Sequence, residues 1–147
     1  MDRIARYLLP PLGRLLLCGL FIWAGYEKLA APRMTAAYFA ETGIPLPALM
    51  VWVTIVIELV GGLALLLGFK TRLAALILAI WSLITGFAVH FAAATTLTDA
   101  AAAYDNMIHF YKNLAMAGGL LYVTAFGAGA LSIDNGLRRG AEETRAP

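Results

Sequence analysis

Four long stretches of apolar residues constrain the fold of this chain more than any other feature of its sequence. They cover residues 12–29, 49–69, 73–94 and 109–130, and most of the charged residues fall between them. A helix needs about 20 apolar residues to cross the hydrocarbon core of a bilayer. Because lipid offers backbone groups no hydrogen-bond partners, an open chain crosses it only as helix. The sequence therefore predicts an all-α protein, a four-helix transmembrane bundle.

The composition is typical of a membrane-embedded chain and excludes several kinds of function. Of the 147 residues, 61% are hydrophobic and 14% are charged, whereas soluble domains carry about 25% charged residues. The net charge of +2 is too small for a basic surface that binds the phosphates of nucleic acid, so nucleic acid is excluded as the main partner. The single cysteine, Cys18, excludes an internal disulfide, a thiolate zinc cage and a cysteine-ligated iron–sulfur cluster within one chain. The predicted partner is the lipid bilayer.

The basic residues fall mostly on one side of the predicted spans. Cytoplasmic loops of membrane proteins retain an excess of lysine and arginine. The two sides carry Arg3, Arg6, Arg14, Lys70, Arg72, Arg138, Arg139 and Arg145 against Lys28, Arg33 and Lys112. We therefore expect both termini in the cytoplasm. Residues 1–134 are predicted to form a single transmembrane domain, and residues 135–147 a polar cytoplasmic tail.

Glu58 is the most informative residue because it lies near the middle of the second predicted span. About nine residues separate it from either end, which is ~14 Å of helix at 1.5 Å per residue and too far for the carboxylate to reach the interface. We expect it to face the inside of the bundle. Gly61 and Gly62 follow one turn later, where they would let a neighbouring helix or a ligand approach the carboxylate.

One face of the first predicted span is also unsuited to lipid. Arg14, Cys18, Phe21, Gly25 and Lys28 recur at steps of three and four residues, which draws one line along a helix. This stripe is predicted to face the other helices.

The remaining polar residues of the spans are predicted to converge on one cavity. Given the expected orientation, Lys28, His90 and Lys112 lie in the outer third of their helices. Ionisable residues within membranes are candidates for function by default. We predict an outward-opening, ligand-binding cavity that is lined by Glu58, Lys28, His90, His109, Lys112 and Asn113. Within it, Lys112 is predicted to pair with Glu58.

A purely structural interpretation of the same residues stays open. Glu58 and Lys112 could form a buried ion pair that only fixes helix register, and Arg14 and Lys28, near helix ends, could extend to opposite interfaces.

The two histidines raise the question of a bound metal. On neighbouring antiparallel helices, His90 and His109 could clamp a haem iron, but ordinary hydrogen-bonding histidines are the favoured interpretation. A zinc site would need a third ligand at suitable spacing, and no residue supplies one. No metal site is predicted.

Short segments that follow one another in order point to a known family. They are residues 21–29 (FIWAGYEKL), 58–62 (ELVGG) with 67–72 (LGFKTR), 106–113 (NMIHFYKN) and 127–134 (GAGALSID). Over residues 14–134 the chain thereby resembles the DoxX family of small bacterial inner-membrane proteins. The resemblance implies a four-helix inner-membrane protein. It also implies relatives that serve as membrane subunits of respiratory-type oxidoreductases, including a thiosulfate:quinone oxidoreductase, or as membrane anchors for redox-defence enzymes.

Two hypotheses for function follow from the residues and the resemblance. In the first, the protein is an auxiliary membrane subunit that binds a quinone in the cavity and works with a redox-enzyme partner. In the second, it is a scaffold or anchor for partner proteins and has no ligand of its own. A small carrier is a weaker third hypothesis, because no inverted repeat is visible. The sequence leaves open whether the chain catalyses a reaction and whether it forms a homo-oligomer.

Overall fold

The computed structural model describes residues 2–144, apart from the side chains of Asp2, Arg3 and Glu143. Its regular elements, all of them helical within this range, are α1 (Asp2–Ala30), α2 (Pro32–Glu41), α3 (Pro47–Leu67), α4 (Thr71–Thr85), a π-helical segment (Gly86–Phe91), α5 (Ala92–Thr96), α6 (Ala100–Phe126) and α7 (Ile133–Glu143). The prediction of an all-α chain is confirmed. Arg145 and the side chain of Arg3, counted above among the basic residues, lie outside the described part.

Three helical stretches in the described chain are long and apolar enough to cross a membrane. They are Ile4–Ala30, Pro47–Leu67 and Thr71–Thr96, which correspond to the first three predicted spans. Helix α6 is 27 residues long, but polar residues such as Asp105 and Lys112 lower the hydropathy of its first half. Spanning by α6 therefore stays a prediction.

The long helices pack in the order α1, α3, α4 and α6, and glycines allow α1 and α4 to approach α3 closely. A Cβ atom on Gly62 would lie 2.9 Å from Ile22 Cγ1 in α1, and one on Gly61 would lie 3.0 Å from Leu78 Cδ2 in α4. The small face predicted beside Glu58 thus serves helix contacts on both sides of α3.

The core between these helices includes the stripe predicted on the first span. Cys18 and Phe21 of α1 pack with residues such as Leu65 and Leu120, from α3 and α6. Arg14 and Gly25 are buried as well. The prediction that this stripe faces the other helices is confirmed.

The tight turn between α3 and α4 is held by the chain that follows α6. The Asp134 carboxylate accepts hydrogen bonds from Lys70 N at 2.8 Å, from Thr71 N at 2.9 Å and from Thr71 Oγ1 at 2.7 Å. Its own N–H donates to Gly68 O at 2.9 Å. Asp134 therefore supplies the acceptor for the first N–H groups of α4 from a distant part of the sequence. We call residues 127–134 the clasp.

These contacts also set the acidity of Asp134. Partial burial alone would raise its pKa, but the hydrogen bonds from Thr71 and Lys70 and the positive charge of Arg14 outweigh burial and lower the pKa below its usual value. The carboxylate is therefore ionised at neutral pH.

Arg14 does not extend to an interface, so that expectation is wrong. The residue is only 2% exposed, and its Nη2 donates to Leu131 O at 2.7 Å. The clasp carbonyl gives Nη2 a partner inside the protein, whereas Nε and Nη1 are buried without a hydrogen-bond partner among the described residues.

Candidate functional site

A cavity of about 460 Å³ opens between α1, α2, α3, α4 and α6. Most of its wall is apolar, with contributions from residues such as Phe21, Phe39 and Met116. The polar side chains that line it are Lys28, Tyr38, Thr54, Glu58, Trp81, Thr85, His90, Lys112 and Asn113. The structure thus brings together five of the six residues predicted for the site. The sixth, His109, stands behind the cavity wall, in contact with His90 and Lys112.

Glu58 lies inside the protein and both of its carboxylate oxygens have partners. Its side chain is 9% exposed, and Oε2 lies 2.9 Å from the Lys28 ammonium nitrogen. Trp81 Nε1 donates to Oε1 at 3.5 Å, a long hydrogen bond. Lys28 also donates to Ala24 O at 3.2 Å. The prediction that this carboxylate faces the other helices is confirmed.

The predicted pairing of Glu58 with Lys112 is wrong, because Lys28 takes that place. A Cβ atom on Gly25 would lie only 2.7 Å from Leu59 Cγ, so α1 runs very close to α3 at this level. Lys28 stands one turn further along α1 and reaches the carboxylate directly, which also corrects the expectation that Lys28 extends to the interface. Lys112 instead contacts His109 Nδ1 at 2.7 Å on its own helix.

The two histidines form a polar path from the cavity towards the exposed start of α6. The rings of His90 and His109 lie 5.1 Å apart between centroids. His90 Nδ1 is 3.2 Å from Asn106 Oδ1, and His109 Nε2 is 3.5 Å from Asp105 Oδ2, on a side chain that is 69% exposed. Among the described residues, no group of three or more histidine, cysteine or acidic side chains could hold a metal ion.

A π-helical segment shapes the wall of the cavity beside His90. Residues Gly86–Phe91 interrupt the α-helical hydrogen bonding of the third long helix, and such π turns are frequent at functional sites. A Cβ atom on Gly86 would lie 3.1 Å from Asn113 Cβ, so this glycine lets α6 approach. Together, the π turn and Gly86 bring His90 and Asn113 to one cavity.

Two features of the site were missed from the sequence. Trp81 carried a usable signal: an indole in the middle of an apolar span needs a partner for its N–H, and Glu58 is the partner available. The π-helical segment had no such signal, because GFAVHF continues an ordinary apolar helix.

The charges in the cavity favour an electron-rich ligand. The Lys28–Glu58 pair is neutral as a unit, and Lys112 adds a further positive charge to the lining. An apolar cavity with a few convergent polar groups is the usual form of a small-molecule site. The arrangement can therefore donate hydrogen bonds to a carbonyl or an anion and surround an apolar body.

Long apolar helices around a buried ion pair define the class of protein. It is a small, multi-pass integral membrane protein whose internal cavity carries polar side chains. The model of the DoxX family matches residues 9–91, more than half of the chain. The chain belongs to the DoxX family, as the resemblance indicated.

Relatives in two organisms match over different lengths. Inner membrane protein YqjF of Escherichia coli (strain K12) is 37% identical over 126 residues, 86% of this chain and 89% of that protein. Inner membrane protein YphA of the same strain is 33% identical over 130 residues, 88% of this chain and 91% of that protein. The ER-derived vesicles protein ERV29 of Saccharomyces cerevisiae is 34% identical over 89 residues, 56% of this chain and 26% of the yeast protein. No solved structure matches the chain. The protein is accordingly a multi-pass protein of the inner membrane.

Proposed function

We propose that this protein binds a quinone in the cavity around Glu58 and serves an oxidoreductase system as an auxiliary membrane subunit. The observation that carries the proposal is the Lys28–Glu58 pair, 2.9 Å apart, inside an otherwise mostly apolar cavity of about 460 Å³. Small-molecule sites are of this size and polarity, roughly 300–1,000 Å³.

The residues present fit the two parts of a quinone. Its ring carbonyls need hydrogen-bond donors, and the Lys28 ammonium has one N–H left after its bonds to Glu58 and Ala24 O. Asn113 uses one amide N–H for His109 O, which leaves the other for a ligand. The apolar ring and tail would lie against side chains such as Phe39 and Met116.

The same residues can hold and move a proton. A bound quinone supplies reversible electron and proton chemistry to a partner enzyme. Glu58 would hold a proton at Oε1 or Oε2, next to the cavity. His90 and His109, whose ring centroids lie 5.1 Å apart, and Asp105, 3.5 Å from His109, lie between the cavity and the exposed start of α6 and would pass that proton on towards water.

The proposed topology places four spans in the membrane with both termini in the cytoplasm. Helix α6 would be the fourth span, since it packs along α4 and its Asn113 is buried inside the protein. A Cys18→Ser background with one new cysteine tests this topology. Ala101→Cys should react with a membrane-impermeant maleimide from outside, and Gly136→Cys only after lysis. The reverse pattern contradicts the proposed orientation.

A scaffold without a ligand is the second candidate, and one observation favours it. Both oxygens of Glu58 already have partners in the protein, as expected of an ion pair that only fixes helix positions. The scaffold hypothesis predicts that removal of the carboxylate lowers stability but that no quinone binds.

Thermal unfolding of purified protein with and without a short-tailed ubiquinone analogue separates the two candidates. The matched variants are Ala24→Phe, which fills the cavity, and Leu16→Phe, which adds the same ring at a position 72% exposed. At ten times Kd a ligand stabilises by about 1.4 kcal/mol, which is a rise in Tm of several degrees. We expect this rise in wild type and Leu16→Phe and its loss in Ala24→Phe. An absent rise in wild type, or a full rise in Ala24→Phe, contradicts the proposal.

A further inference from the structure

A second and larger cavity lies at the other ends of the same helices. Its volume is about 740 Å³, and it is bounded by the first turns of α1, the turn between α3 and α4, the clasp and α7. Five basic side chains line it: Arg6, Lys70, Arg72, Arg138 and Arg139. No residue of this cavity takes part in the quinone site.

Within the described side chains, the positive charge of this cavity is mostly not neutralised. Asp134 is the acidic residue in its lining, and its carboxylate already accepts three hydrogen bonds from the start of α4. Among the described side chains, no salt bridge joins any of the five basic residues to a carboxylate. Five positive charges therefore face one carboxylate that is engaged elsewhere.

The cavity also has apolar residues beside its charges. Tyr7, Leu73 and Phe126 belong to the lining and are 48%, 54% and 69% exposed. The Arg72 guanidinium lies next to the clasp, since a Cβ atom on Gly127 would be 3.4 Å from its Nε and 3.7 Å from its Nη2. Gly127 has a φ of +85°, which favours glycine. A guanidinium held beside apolar side chains can bind an amphipathic ligand, which carries both an anionic group and an apolar part.

We propose that this cavity binds the phosphate group of an anionic phospholipid. Arginines bind phosphate oxygens through paired, charge-assisted hydrogen bonds, and basic clusters beside membrane helices attract anionic lipids. Inorganic phosphate shares the headgroup chemistry but lacks acyl chains. The apolar side chains of the lining would contact those chains, so the lipid is the favoured source of the phosphate.

Lipid binding to the full chain in detergent tests the proposal. Native mass spectrometry and thermal unfolding would be measured with phosphatidylglycerol, with phosphatidylcholine and with inorganic phosphate. The variants are Arg138→Gln, the double variant with Arg139→Gln, and Arg33→Gln as the control. Both α7 arginines and Arg33 are exposed, so each variant should fold, and the Tm in phosphatidylcholine checks this.

We expect phosphatidylglycerol, but not phosphatidylcholine, to remain bound and to raise Tm. Each arginine near a membrane surface contributes a factor of about five in affinity. Arg138→Gln should therefore weaken binding about fivefold and the double variant on the order of twentyfold, while Arg33→Gln leaves it unchanged. Equal binding of both lipids, or an equal loss in Arg33→Gln, overturns the proposal. Full stabilisation by inorganic phosphate alone overturns the assignment to lipid.

Discussion

Removal of either partner of the Lys28–Glu58 pair should destabilise the protein more than removal of both. The perturbation is a double-mutant cycle of Lys28→Met, Glu58→Gln and their combination. The side chains are 23% and 9% exposed, so each single variant leaves a mostly buried charge without its partner. The double variant leaves no charge at this position.

The size of the effect follows from the geometry. Unit charges 2.9 Å apart attract by about 6 kcal/mol at an effective dielectric constant of about 20. The cost of taking each charge out of water cancels in the cycle, so the coupling energy should be about 4–6 kcal/mol. The double variant should therefore lose only about 0–2 kcal/mol. Each single variant should lose about 3 kcal/mol, the lower end of the range for buried pairs, because Lys28 keeps some exposure.

Unfolding in mixed micelles of dodecyl maltoside and dodecyl sulfate gives the free energies. Tryptophan fluorescence is a direct reporter, since Trp81 contacts Glu58. The matched controls are Glu27→Gln and Lys70→Met, which remove the same charges at exposed positions and should cost under about 0.5 kcal/mol. A coupling energy below about 0.5 kcal/mol, or single variants no worse than these controls, would refute the buried ion pair.

Three further predictions concern the contacts between helices. Gly68→Ala should cost at least about 2 kcal/mol in chemical unfolding, since the residue has a φ of +68° and its new Cβ would overlap the Arg14 guanidinium; an unchanged midpoint would contradict this. Gly25→Ala should lower Tm, whereas Gly13→Ala, with open space around it, should not, and equal effects would refute the close approach of α1 to α3. Because the pKa of Asp134 is lower in the folded protein, its contribution to stability is complete above about pH 4 and is lost as pH falls through the native pKa. Asp134→Asn should therefore lose about 1–2 kcal/mol at pH 7 and show a flatter acid transition, and a parallel loss of stability in both proteins below pH 4 would contradict the assignment.

The sequence predicts the helices and their inward faces well, because lipid allows the backbone only one open-chain structure and excludes polar side chains. A mid-span carboxylate such as Glu58 has only one acceptable environment, and the stripe from Arg14 to Lys28 would be costly in hydrocarbon. The partner of Glu58 was not predictable in the same way. Lys28 and Lys112 have similar expected depths, and the choice between them depends on the helix distance that Gly25 allows.

Other features depend on packing between distant segments. The π turn at Gly86–Phe91 accompanies the close approach of α6 to Gly86, and no local residue pattern marks it. Asp134 caps α4 across 63 residues of sequence, so its role is invisible to any reading of α4 alone. Ser132, two residues earlier, is the N-cap of α7, a role that follows from local sequence. That role does not indicate the contact between Asp134 and Thr71.

The clasp has a consequence for the order in which the protein is made. Asp134 follows Thr71 by 63 residues, so at about 5–20 residues per second the ribosome adds it roughly 3–13 s after Thr71. Until then the first N–H groups of α4 must rely on water or lipid headgroups. The cap on this hairpin is thus completed only after all of α6 has been made. A translation product that stops short of Asp134 would lack this cap and leave the first N–H groups of α4 without their acceptor.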